Sequence, residues 1–274
     1  MRFRTGLLFQ LFKYSVYSLL TLNIVLFYLE DHAAALVKYA EGLTPALLLE
    51  GYATSIDTAA WVILLLVFEL ETYILEDRHF TKVVNRTLTA VRALCFAFIV
   101  FAFYGYFQTM LSTYQFESAA GVTDLCSVAN TGELYAIDES EYEEITPGNC
   151  ETLSEATSFK RFTDSEALTD DAMAVHIQRL AWADVINAGV WILIVILLEI
   201  DIRLQERNRY EGLAFRTSMS LKAVFYPTLF LVAVYWGVKG DFIDFWDAFL
   251  WLVAFLFIEN NILEWREEEH AAST

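Results

Sequence analysis

Histidine, cysteine and proline are all scarce in this chain, and each scarcity removes a class of function. The four His stand at positions 32, 79, 176 and 270, outside every long apolar run. Paired intramembrane imidazoles that could ligate haem are therefore excluded. With only three Cys, no His, Cys or carboxylate cluster has metal-ligand spacing, so no metal is expected. No Cys-x-x-Cys-His, Gly-rich phosphate loop or Ser nucleophile elbow occurs either. The reading is of a protein without cofactor or catalytic centre. Positive charge is also in short supply: 18 Lys and Arg stand against 36 Asp and Glu, a net charge of −18. Such a surface repels a phosphate backbone, which excludes nucleic acid as a partner.

Apolar residues, by contrast, abound. They make up 57% of the chain, above the roughly 45–50% of soluble domains. That content coexists with the large charge only because the two are segregated. Apolar runs occupy Leu7–Tyr28, Ala59–Leu75, Ala90–Leu111, Ala181–Ile202, Ser218–Gly237 and Phe242–Leu263. Each approaches the roughly 20 residues that cross a hydrocarbon core of about 30 Å as a helix. The runs are continuous rather than alternating, which argues against a barrel. An all-α integral membrane protein with six transmembrane helices is expected, its bilayer the first partner. The start Met1-Arg2-Phe3-Arg4 resembles the charged region of a signal peptide, but the run's length and Lys13 favour a retained span. Alternating the connections from an inner N-terminus places 13 of the 18 basic residues on one side. The positive-inside rule then puts both termini in the cytoplasm, here of a bacterial inner membrane.

The second, fourth and sixth runs share a pattern. They read Asp57-x3-Trp61-x7-Glu69-x-Glu71, Asn187-x3-Trp191-x7-Glu199-x-Asp201 and Asp247-x3-Trp251-x7-Glu259-x-Asn261. The other three open with Arg-Thr at Arg4, Arg86 and Arg216, and an aromatic follows ten residues on at Tyr14, Phe96 and Tyr226. Glu69 precedes Arg86 by 17 residues, as Glu199 precedes Arg216. Fixed spacing in three copies marks an internal repeat. Three tandem hairpins of pseudo-threefold design follow, at 1–75, 76–205 and 206–274. The mitochondrial carriers offer a similar topology, yet their Pro-x-acid-x-x-base signature is absent and the chain is not assigned to them.

The second repeat carries an insert, 112–178, with 14 acids against Lys160 and Arg161, a net −12. Cys126 and Cys150 fall in it, on the outer side, where a disulfide is permitted. Cys95 falls in the third run and is expected to be a buried free thiol. Thr163-x-x-Glu166 resembles a capping box, which would start the fourth helix well before the bilayer. The stretch before it reads as irregular or as short strands. Thr44-Pro45 in the first repeat resembles another helix start. The acidic ectodomain either concentrates cations through its field or is a solvated, salt-adapted surface. It lacks the spacing of a calcium loop.

The ionisable groups inside the runs carry the functional argument. In each second helix the outer Asp or Asn and the inner Glu stand 12 residues apart, about 18 Å of helix. Both therefore lie inside the apolar slab, where a charge needs a partner, a proton or water. Arg4, Lys13, Arg86, Arg92, Arg216 and Lys222 on the first helices are the available cations. They are expected to pair with Glu69, Glu199 and Glu259 as structural staples. The second acids, Glu71, Asp201 and the degenerate Asn261, face another way. With Asp57, Asn187 and Asp247 they form a candidate ion or proton path. The leading reading is a transport protein, channel or carrier, for a small cation or proton. The runner-up is a non-catalytic accessory subunit or scaffold of a membrane complex, docking through the acidic ectodomain; the partners expected are a second copy in a homo-oligomer or a larger membrane complex.

Overall fold

The computed structural model describes residues 7–38, 51–70, 81–138, 140–206 and 210–273, with side chains at 10–37, 51–70, 81–138, 140–204 and 210–257. Arg4, Thr44, Pro45 and Glu71, and the side chains of Glu259 and Asn261, lie outside this set. The described chain is mainly helical. α1 covers Leu7–Lys38, α2 Ala53–Glu69, α3 Lys82–Ser112, the single turn α4 Cys150–Leu153, α5 Asp171–Glu206, α6 Gly212–Lys239 and α7 Phe242–Ser273. Four stretches are long and apolar enough to cross a membrane: Gln10–Val37, Lys82–Ser112, Asp171–Leu204 and Gly212–Lys239. Their outward faces are apolar. Leu29, Leu36, Val100, Val224, Phe230 and Leu231 are all more than half exposed. In water such a surface would be a large liability, whereas lipid is as apolar as these side chains.

Local chemistry sets the helix ends. Thr81 caps α3, its hydroxyl oxygen accepting from the Val84 N–H at 3.3 Å. α6 stops at Gly240, whose φ of +102° suits a residue without Cβ, and whose N–H returns to the Trp236 carbonyl at 3.0 Å. The turn into α7 is tight. A Cβ on Gly237 would meet the Phe245 ring at 3.1 Å, so glycine lets these two helices approach. Pro227 sits inside α6 and withholds one N–H from the helical ladder. Thr228 spends its hydroxyl on the Val224 carbonyl at 2.9 Å.

The chain divides into two units, one of residues 1–23 and 186–274, the other of 24–185. In the second, the insert folds as a five-stranded sheet. Its strands are β1 Phe116–Ser118, β2 Leu134–Ala136, β3 Tyr142–Glu144, β4 Lys160–Phe162 and β5 Leu168–Thr169, in the order β1-β4-β5-β2-β3. β2 and β5 run parallel and the other pairs antiparallel. Tyr135, Ile145, Leu125, Leu168, Phe159 and Cys150 form its core. The Cys126–Cys150 disulfide is made, and Cys95 is free and buried in α3.

Two expectations need correction here. The fold is not all-α, because the insert pairs its short strands into one sheet. Nor does Thr163-x-x-Glu166 cap a helix. It is the turn between β4 and β5, with the Glu166 N–H bonded to the Phe162 carbonyl and Glu166 at φ +56°. α5 is capped instead by Asp170, whose Oδ1 accepts from the Ala172 and Met173 N–H groups at 2.8 and 2.9 Å. The sequence around Thr163 satisfies the local pattern, but strand pairing claims its backbone first.

Candidate functional site

Among the described residues of the first unit, Asp201, near the end of α5, is the carboxylate with the least exposed surface, 1%. Three donors reach its Oδ2. Lys222 Nζ stands at 3.1 Å, the Ser218 hydroxyl donates at 2.6 Å and the Tyr210 hydroxyl at 3.0 Å. Ser218 and Lys222 lie four residues apart, so α6 presents both on one face. Tyr210 comes from the connection before α6, its ring edge-on to Phe215 at 5.5 Å. Burial pushes its phenol above the ordinary tyrosine value, so it keeps its proton and stays a donor at neutral pH. The other oxygen of Asp201, Oδ1, is buried without a hydrogen-bond partner among the described residues.

This arrangement exchanges the expected roles of the two inner acids. Glu199 does not meet a first-helix cation. It is exposed and pairs with Arg203 of its own helix at 2.8 Å. Lys222 goes to Asp201 instead. The two acids are two residues apart and so about 200° apart around the helix, which means only one can face α6. Glu69 is buried in α2, and Lys13 is buried with its ammonium 5.0 Å from the Tyr14 ring centre and 6.0 Å from that of Tyr17. Arg92 is exposed on α3. Arg86 and Arg216 are exposed and form no ion pair among the described residues.

A second set of polar groups lies at the far ends of the same helices. Asp247 of α7 accepts from Asn23 of α1 at 2.7 Å and from the Trp251 indole one turn along. Within the other unit, Asp57 of α2 accepts from the Tyr106 hydroxyl of α3 at 3.4 Å. Asn187 of α5 differs: its Oδ1 is buried and has no partner among the described residues. Asn23 Oδ1, Tyr235 OH and Trp236 Nε1 share that condition.

Tyr210, Ser218 and Asn23 were not singled out in the sequence. Ser218 had a signal, since it falls two residues after Arg216 and one helical turn before Lys222. Asn23 had a weaker one, as an amide within an otherwise apolar run. Tyr210 had none, because a connection's path is not written in helical periodicity. Chemically, Asp201 and Lys222 are a base and an acid held in contact, flanked by two hydroxyls able to pass a proton. Among the described residues, no three His, Cys, Asp or Glu converge as metal ligands would. Comparison with protein-family models, with curated proteins and with solved structures finds no match to this chain.

Proposed function

We propose that the chain is a six-span membrane protein of three hairpin repeats that moves a proton or small cation along its intramembrane polar residues. α2 and α7 supply the two spans beyond the four already described. The positive-inside rule supports cytoplasmic termini and an outward acidic insert, in a bacterial inner membrane. One observation carries the reading. Five buried polar atoms without a hydrogen-bond partner among the described residues belong to α1, α5 and α6 of one unit: Asn23 Oδ1, Asn187 Oδ1, Asp201 Oδ1, Tyr235 OH and Trp236 Nε1. An orphaned polar group away from water costs several kcal/mol. Such groups are satisfied where water or an ion reaches them. In this reading Asp247, Asn187 and Asp201 are stations along the route. Asp57, Glu71 and Asn261 are their counterparts in the other repeats. The protein has no catalytic role.

The close Asp201–Lys222 pair favours a second reading, in which the charges only fasten helices and the protein is a scaffold within a membrane complex. Reconstitution separates the two. Liposomes holding the purified protein are expected to pass protons, sodium or potassium down an imposed gradient. Asp247→Asn, which keeps an acceptor for Asn23 but loses the charge, should cut that flux at least tenfold. Wild-type liposomes silent under every gradient would reject transport and leave the scaffold.

A further inference from the structure

Two aspartates of one unit, Asp201 and Asp247, are neutralised by different means. Asp201 has the Lys222 ammonium at 3.1 Å. Asp247 forms no ion pair among the described residues. Its partners are two neutral donors, the Asn23 amide at 2.7 Å and the Trp251 indole. The cations on the helices packed against α7 are engaged elsewhere. On α6, Lys222 is on Asp201, Arg216 is exposed at the far end, and Lys239 is exposed with its ammonium 5.9 Å from the Tyr235 ring centre. On α1, Lys13 lies against Tyr14 and Tyr17, ten residues and about 15 Å along the helix from Asn23. On α5, whose Trp191 ring is 4.6 Å from that of Phe255 in α7, Arg203 pairs with Glu199. Asp241 and Asp244, just ahead of Asp247, are themselves acids, and Tyr17, Tyr226 and Tyr235 are neutral phenols.

Asn23 adds an independent sign. It is 1% exposed, and its Nδ2 is on Asp247 while its Oδ1 is buried without a partner among the described residues. The two ends of an amide are nearly alike in shape. Turned about its last bond, the Asn23 amide keeps its place and offers Asp247 an acceptor instead of a donor. The first orientation serves an ionised carboxylate, the second a protonated one. We propose that Asp247 is a proton-binding site, with Asn23 its positioning residue, and that the proton is the cargo of the route. A carboxyl in the apolar slab needs a counter-charge, a proton or water. No counter-charge faces Asp247. Hard metal ions are held by a shell of oxygens. Here the indole and amide N–H groups would turn their positive ends toward such an ion. A proton needs only the carboxyl oxygen that binds it and an acceptor beyond, which Asn23 supplies. The naming of the cargo rests on the transport reading; proton binding at Asp247 does not.

Infrared difference spectra of the detergent-purified full chain, wild type minus Asp247→Asn, test the site without transport. At neutral pH wild type is expected to show the carbonyl band of one protonated carboxylic acid that the variant lacks, and the band should fade as the pH is raised. Sodium or potassium added at fixed pH should leave it unchanged. A difference spectrum without that band at any pH, or a band lost on adding either cation, would overturn the site. If Asp247→Asn fails to fold, Asp247→Glu should keep the band at a displaced frequency, and an undisplaced band would assign it to another acid. Liposomes then test the cargo. Protons are expected to pass with neither sodium nor potassium present. Sodium or potassium flux without proton flux would overturn the proton as cargo while transport stands. Liposomes silent under every gradient, with the band present, would reject transport and leave the proton site standing.

Discussion

Asp170 and Asp201 are both buried aspartates, 8% and 1% exposed, yet their surroundings differ in kind. Asp170, at the end of the central strand of the insert's sheet and the start of α5, has donors on both oxygens. The Ala172 and Met173 N–H groups take one oxygen, and the Tyr135 and Ser154 hydroxyls take the other at 2.8 and 2.5 Å. No cation is needed. Burial alone would raise its carboxyl, but these donors outweigh that and hold it below the usual carboxylate range. Asp201 crowds three donors onto one oxygen, one of them a Lys, and leaves the other bare. The first pattern is what a helix start provides, because its first backbone N–H groups have no partner within the helix. Five residues from the end of α5 and ten into α6 the backbone N–H groups are already spent, and only side chains remain to neutralise a charge.

The contrast is broken most sharply at Lys222. Lys222→Ala leaves a buried carboxylate without its counter-charge, a change that typically costs about 3–5 kcal/mol. The detergent-purified variant should melt well below wild type, and Lys222→Ala combined with Asp201→Asn should recover much of the loss. A smaller effect is expected at Asp170. Asp170→Ala removes a helix cap and strips an acceptor from two buried hydroxyls, together about 2 kcal/mol. Asp170 also predicts a pH dependence. Its folded carboxyl ionises below its unfolded value, so its contribution is complete above about pH 4 and lost as pH falls through the folded value. Asp170→Asn should therefore flatten the acid limb of a stability–pH curve. The smallest effect belongs to Glu199. Its pair with Arg203 is exposed and lies within one helix, so Glu199→Ala should shift stability by about 0.5 kcal/mol or less. A large loss there would restore the staple role read from the sequence.

What could be read in advance follows the same division. Long apolar runs imply helices because lipid leaves the backbone no alternative, and α1, α3, α5 and α6 lie where those runs fall. The disulfide was legible because two Cys share one insert between apolar runs. The choice between Glu199 and Asp201 was not. Spacing alone says that they face apart, but not which of them faces α6. The pairing of five short strands was also hidden, since strands of two or three residues carry too little alternation to register against turn residues around them. Tyr210 could be placed only once the path of its connection was known.

Pro227 gives α6 a joint. It falls five residues after Lys222 and eight before Tyr235, between the helix's ion-paired end and its other polar end. Without the N–H that would bind the carbonyl of Ala223, the rod bends there at lower energetic cost than anywhere else along its length. The segment clamped to Asp201 and the segment bearing Tyr235 and Trp236 therefore meet at a hinge point within one helix.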